Sequence, residues 1–160
     1  MITKENLLKL FKKEFATTLK VMRAFPEDKL SFTPHERSQT ASRIMSTFVF
    51  EMFLIESYVF GKNLDRAVFQ SYAPDNLQTL ISDFDKQTVQ VISKLEDMPE
   101  DELKKTVEFA GFKMPADEFM LMMLFDQIHH RGQMSVYIRL AGGKVPSIYG
   151  PSADDPGINL

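Results

Sequence analysis

The sequence contains no cysteine and carries only a small excess of acidic residues. Its 160 residues include 19 Lys and Arg against 22 Asp and Glu, which gives a net charge of −3. The absence of cysteine excludes disulfides, thiolate metal sites and a cysteine nucleophile. Because no basic stripe is present, we expect no nucleic-acid partner.

Long uncharged apolar runs are also missing. No stretch approaches the roughly 18 residues of a membrane-spanning helix. The N-terminal stretch mixes charged residues into its apolar pattern, MITKENLLKLFKKEF, and lacks the apolar core of a signal peptide. We therefore expect no membrane association and a cytoplasmic location. The length and the hydrophobic fraction of 44% fit a single domain over residues 1–160.

Four segments repeat apolar residues at helical spacing. The pattern predicts helices at about residues 3–24, 76–97 and 115–141, and between the first two a helix that begins near Ser38 or Thr40 and ends at Gly61. A longer link joins the second and third helices, and the Pro- and Gly-rich tail after residue 143 is expected to be irregular. A short hairpin is predicted around Gly111. These features indicate an all-α fold, an antiparallel four-helix bundle.

Two acids interrupt the almost wholly apolar second helix. Glu51 and Glu56 lie about 140° apart around a helix, so they cannot point the same way. Burying an unpaired carboxylate is costly, and we expect one of the two to be buried and partnered. The partner is either a core Arg or His or a metal ion. An acid that simply reaches solvent is the remaining alternative.

The fourth helix holds two of the three histidines, His129 and His130. Asp126 and His130 are four residues apart and share one face, which Gln133 extends by a turn. A carboxylate and an imidazole at this spacing can both reach one cation. A hydrogen-bonded Asp–His pair buried between helices explains the same spacing.

The first half of the fourth helix, FMLMMLF at residues 119–125, is apolar on every side. A helix of this kind is buried on more than one face. In a chain this short the second face fits a partner subunit, and the alternative is that all of it belongs to the core. The methionines suit adaptable packing in either case.

A family resemblance rests on the same helix. The sequence His129-His130-Arg131-Gly132-Gln133, followed by Tyr137-x-Arg139-x-x-Gly142 and Pro146, resembles the final helix of the DinB/YfiT-like superfamily. The segment from Thr40-Ala41-x-x-Ile44 to Glu51 and the helix lengths fit that family too. The resemblance covers essentially the whole chain. It implies a four-helix bundle, commonly dimeric, that holds a divalent ion with one histidine of the second helix and two of the fourth.

Carried across residue by residue, the resemblance gives an altered ligand set. His130 matches the second histidine of the fourth helix, Asp126 replaces the first, and the second-helix histidine falls at or near Thr47. Glu51 lies one turn beyond Thr47 and is expected to reach inward instead. The implied ligands are Glu51, Asp126 and His130, with Thr47, His129 and Gln133 around them. Two carboxylates and one imidazole suit manganese or iron(II) as well as zinc or nickel.

Two functions follow from the resemblance. Some relatives are metal-dependent thiol S-transferases or hydrolases, so we expect a homodimeric enzyme of that type with a thiol as a candidate small-molecule substrate. The alternative is a non-catalytic dimeric stress or interaction protein that keeps the fold but has lost the ion. In that case Asp126 and Glu51 are held by His130, His129 or Arg131. The sequence names no substrate.

Overall fold

The structure, a computed structural model, describes residues 2–63 and 71–157. It contains four long helices: α1 (Lys4–Arg23), α2 (Ala41–Tyr58), α3 (Leu77–Asp97) and α4 (Ala116–Leu140). Two short 3-10 helices, Glu27–Lys29 and Glu100–Lys104, and a hairpin of β1 (Thr106–Phe109) and β2 (Phe112–Pro115) complete the described elements. The predicted four-helix bundle is confirmed.

Side-chain caps determine where three of the helices begin. Thr3, Thr40 and Asn76 each accept a hydrogen bond from the backbone N–H three residues further on. Each cap satisfies one of the N–H groups that the first turn of a helix leaves unpaired. The predicted helix bounds agree with the observed ones to within about three residues.

The two central helices of the chain run in the same direction. Ser42, near the start of α2, donates to the carbonyl of Pro74 just before α3. Glu56, near the end of α2, pairs with Lys94 near the end of α3. The two helices are therefore parallel neighbours, which differs from the antiparallel arrangement that the sequence predicted for the bundle. Residues 64–70 of the link between them lie outside the described residues.

α4 packs against α2, and the groove between these two helices is the one that matters for the site. α3 packs against α1 and α2, whereas α4 packs against α2 and α1. Tyr137, near the end of α4, shares a cleft with Ile44 near the start of α2. Asp126, in the first half of α4, meets Glu51 in the second half of α2. The two helices are thus antiparallel, and their shared groove contains the candidate site.

Phenylalanines fill the centre of the bundle. Phe11, Phe15, Phe48, Phe84 and Phe119 are each at most 1% exposed. Edge-on ring packing joins α1 to α3 through Phe15 and Phe84, and α2 to α3 through Phe48 and Phe84. This core fixes the rotation of α2, and with it the direction in which its polar residues point.

The hairpin follows the turn chemistry of its two central residues. Ala110 and Gly111 both have positive φ, 51° and 84°. Two left-handed residues make the type I′ turn that matches the twist of paired strands. The predicted hairpin is confirmed, and it lies at the entrance to α4.

Both acids of α2 are buried, on different faces. Glu56 is fully buried and pairs with Lys62 and Lys94, so it is the partnered acid that the sequence predicted. Its partners are lysines rather than the expected Arg or His. Glu51 is buried as well, on the face of α2 that packs against α4. None of the described helices has a stretch long and apolar enough to cross a membrane.

Candidate metal centre

Glu51 is a buried carboxylate without a hydrogen-bond partner. Glu51 is 1% exposed, and neither Oε1 nor Oε2 accepts a hydrogen bond from any of the described residues. Burial raises the pKa of the Glu51 carboxyl well above its usual range, and the neighbouring Asp126 raises it further. The amide of Gln127 lowers it in part. An acid in this position costs folding free energy unless a cation or a proton neutralises it.

Asp126 and His130 lie beside this carboxylate. Asp126 Oδ2 is 3.6 Å from Nε2 of His130, one helical turn away on α4. Each residue of the triad Glu51, Asp126 and His130 offers a ligand atom, and these atoms all lie within 4.8 Å of one another. The three side chains predicted from the sequence therefore converge on one point. Their assignment as metal ligands stays a prediction.

The triad runs from the core to the surface. Glu51 is buried, the His130 side chain is 20% exposed, and that of Asp126 is 51% exposed. The residue types fit a divalent ion because carboxylate oxygens and imidazole nitrogens are its ordinary protein donors. A site with three protein ligands that opens to solvent leaves coordination positions for water or a substrate.

Gln133 connects the two histidines of α4. Its Oε1 lies 2.9 Å from Nδ1 of His130, and its Nε2 lies 3.1 Å from Nε2 of His129. Because Oε1 can only accept, Nδ1 of His130 carries the proton. Nε2 of His130 is then the atom with the free lone pair, on the side of Asp126. Gln133 thus sets the tautomer that a metal ligand needs.

Thr47 and Arg131 do not contact the triad through their hydrogen bonds. The Thr47 hydroxyl donates to the carbonyl of Arg43 in its own helix, at 3.2 Å. Arg131 is 1% exposed and pairs with Glu14 of α1. The alternative in which Arg131 holds Glu51 or Asp126 is therefore wrong, because the Arg131 guanidinium pairs with Glu14 of α1 instead.

Sequence reasoning missed a cleft that continues from His130. It has a volume of about 500 Å³ and is lined by α4, by Ile44 of α2 and by residues 37–39 of the preceding loop. Gln127, buried next to Glu51, was missed too. A polar residue following Asp126 within an apolar helix was the signal for it, whereas the loop residues are brought to the cleft only by the tertiary fold.

The family comparison is decisive. A sequence model described as the DinB family matches residues 1–158. This chain belongs to the DinB family. The family assignment confirms the resemblance, which covers essentially the whole chain.

Relatives of this DinB-family chain include proteins of known sequence and known structure. The uncharacterized protein YrdA of Bacillus subtilis is 28% identical over 159 residues, covering 96% of this chain and 92% of that protein. A DinB-like protein of Bacillus cereus has a crystal structure with a TM-score of 0.82 at 26% identity, covering 92% of this chain and 98% of the other.

A more distant structure shares the bundle of this DinB-family chain. The mycothiol-dependent maleylpyruvate isomerase has a TM-score of 0.66 at 13% identity, and the match covers 83% of this chain and 61% of that one. At this identity the likeness concerns the fold alone. The chemistry of the site must be argued from the side chains.

Proposed function

We propose that this DinB-family protein holds a divalent metal ion with Glu51, Asp126 and His130 and is a metal-dependent transferase or hydrolase, with a thiol as the favoured substrate. The observation that carries the proposal is the Glu51 carboxylate, which is buried without a donor and lies within ligand distance of Asp126 and His130. A cation at this point would compensate for the burial of that charge.

Each residue of the site would have its own role in holding the ion. Glu51 and Asp126 supply negative charge that would balance a divalent cation, and His130 supplies a neutral nitrogen ligand. Gln133 holds the His130 ring through Nδ1. A bound ion of this kind lowers the pKa of a coordinated thiol or water and orients it. The cleft beside His130 has the volume of a small-molecule site.

Support for the thiol comes from a relative. The structurally similar isomerase is named for its dependence on mycothiol, a thiol compound. Since the shared feature is the fold, this is an argument by analogy. Two carboxylates and one imidazole form a harder ligand set, in the hard–soft sense, than three imidazoles do. Such a set favours manganese or iron(II) alongside zinc and nickel.

A metal titration tests the ligand set. Tag-free protein is dialysed against a chelator and titrated with zinc, nickel, manganese and iron(II) by calorimetry. We expect one ion per chain, with binding abolished in Glu51→Gln and His130→Ala and weakened in Asp126→Asn. His35→Ala and Asp85→Asn change an exposed histidine and an exposed acid outside the triad and should bind as the unmodified chain does. No binding of any of the four ions would refute the proposal.

A thiol-transfer and hydrolysis screen with the loaded protein tests the chemistry. Turnover that needs the ion and disappears in His130→Ala supports an enzyme. The second candidate is a non-catalytic dimeric stress or interaction protein. It is favoured by the raised pKa of Glu51, because a protonated, neutral Glu51 needs no ion. Ligand binding that does not depend on metal, with no turnover, supports that candidate.

A further inference from the structure

One guanidinium at the cleft, that of Arg37, is charged and faces no acidic side chain in the described part of the chain. Arg37 is exposed on the loop before α2, and it makes no ion pair with any of the described residues. Within residues 2–63 and 71–157 no aspartate or glutamate lines the cleft, and the other ionisable groups there are His130 and the phenol of Tyr137. An unpaired arginine in a small-molecule cleft presents a planar fork of donors suited to a carboxylate.

The loop that carries Arg37 is held in place by hydrogen bonds. At its base, the N–H groups of Ala41 and Ser42 donate to the carbonyls of Phe32 and Leu30, each at 2.9 Å. Near its tip, the N–H of Arg37 donates to Nδ1 of His35 at 3.1 Å. The backbone position of Arg37 is thus defined before any ligand arrives, which reduces the entropy lost on binding.

The same loop is tied to α4. The hydroxyl of Tyr137 donates to the carbonyl of Gln39 at 2.9 Å. The Tyr137 ring packs edge-on against Phe32, with ring centroids 6.0 Å apart. These contacts fix the loop relative to the helix that carries His130, so the cleft has a defined length.

Apolar side chains separate the two polar ends of the cleft. Ile44 of α2 and Val136 of α4 line it between the triad and the loop. Glu51 and Ile44 are seven residues apart on α2, which corresponds to about 10 Å along the helix axis. A short alkyl chain spans such a distance.

We propose that the cleft binds a small organic anion whose carboxylate pairs with Arg37 and whose apolar chain lies between Ile44 and Val136. This inference deepens the proposed function, on which it rests for placing the reacting end of the molecule at the triad. It defines the substrate class as an amphiphilic acid whose alkyl chain covers at least the ~10 Å of α2 between Ile44 and the triad.

The anion site is tested first without metal. The chelator-treated protein is titrated with hexanoate and, separately, with hexanol, followed by amide chemical shifts at about pH 8, where histidine is ordinarily neutral. We expect hexanoate to bind at least tenfold more tightly than hexanol and to shift the amides of residues 37–39 and 133–137. Arg37→Gln should remove this preference. Arg23→Gln, an exposed arginine outside the cleft, should retain it.

A second titration links the anion site to the triad. Cobalt(II)-loaded protein is titrated with mercaptohexanoate, mercaptohexanol and the shorter mercaptopropionate, and the thiolate-to-metal absorption band is measured. We expect mercaptohexanoate to bind most tightly, and Arg37→Gln to reduce its affinity to that of mercaptohexanol.

The two titrations separate the possible failures. Equal affinity for hexanoate and hexanol, or a preference that survives in Arg37→Gln, overturns the inference even if the ion binds. A carboxylate preference that depends on Arg37, without any cobalt–thiolate band, supports the anion site and counts against the proposed thiol chemistry.

Discussion

Gln133 accepts a hydrogen bond from Nδ1 of His130 at 2.9 Å, and this leaves Nε2 as the atom that faces Asp126. The first prediction concerns this bond. Gln133→Leu should weaken metal affinity by about 10–100-fold, the usual effect of removing a partner that orients a histidine ligand. Gln133→Glu keeps an acceptor at the same place and should retain most of the affinity.

Calorimetry of the metal and ¹⁵N chemical shifts of the His130 ring measure this effect. The ring shifts should show a mixture of tautomers in Gln133→Leu and the Nδ1-protonated form in the unmodified chain. Gln78→Leu makes the same change on an exposed part of α3 and serves as control. Unchanged affinity and an unchanged tautomer in Gln133→Leu would show that the bond has no such role.

The second prediction follows from the raised pKa of Glu51. In the unfolded chain this carboxyl ionises near its ordinary value of about 4.3, whereas in the folded, metal-free protein it keeps its proton to higher pH. The folded state then binds more protons than the unfolded state, so the free energy of unfolding falls as pH rises. Below the unfolded value the group is protonated in both states and this loss is absent.

Glu51→Gln should remove that loss. In a chelating buffer the stability of the variant relative to the unmodified chain should grow by about 1.4 kcal/mol per pH unit above the unfolded pKa, until the folded pKa is passed. Urea unfolding at several pH values measures it, with Asp85→Asn as an exposed control on α3. A stability difference that does not change with pH would contradict the assignment.

The third prediction concerns protons released by the ion. A cation at Glu51 must displace the proton that burial favours there, so metal affinity should rise with pH, by up to about tenfold per unit for one proton. Calorimetry in buffers with different ionisation heats counts the protons released. Metal binding that releases no proton at any pH at which the chain is folded would mean that Glu51 is not a ligand.

The helix bounds were predictable from the sequence, whereas the site was predictable only in part. Apolar periodicity and the caps Thr3, Thr40 and Asn76 are local features, and the helix bounds follow from them. The i, i+4 spacing likewise placed Asp126 beside His130. That Glu51 and Glu56 are both buried could not be read from α2 alone, because α3 and α4 cover its two faces. The position of Arg37 needed the tertiary fold for the same reason.

The fourth prediction separates the arginine of the HRGQ sequence from its histidine. Arg131 donates to Glu14 and to the hydroxyl of Tyr149 from the tail, and its Nη1 lies 3.0 Å from the carbonyl oxygen of Glu14. Arg131→Met leaves the buried Glu14 charge unpaired and should cost about 3–5 kcal/mol of stability. The double variant Arg131→Met/Glu14→Leu should recover most of it.

Metal affinity provides the second readout for this pair. Arg131 pairs with Glu14 of α1 and makes no hydrogen bond to a triad residue, so the double variant, once folded, should bind the ion as the unmodified chain does. Thermal unfolding and calorimetry measure the two effects. A double variant as unstable as Arg131→Met, or one that folds but loses the ion, would show that Arg131 does more than neutralise Glu14.

The fifth prediction tests the expected homodimer. Leu121 and Met122 are only partly buried, Phe125 is 60% exposed, and together these residues form an apolar patch on α4. An exposed cluster of large apolar side chains on the helix that also carries the site fits an interface with a second copy.

Phe125→Glu places a charge in the centre of that patch and should shift the protein from dimer to monomer, because an unpaired buried charge opposes association. Val89→Glu changes an equally exposed residue, 63% exposed on α3, and should leave the dimer intact. Analytical ultracentrifugation over a range of concentrations measures both. A wild-type chain that sediments as a monomer throughout would refute the homodimer, and a Phe125→Glu dimer would place the interface on another surface.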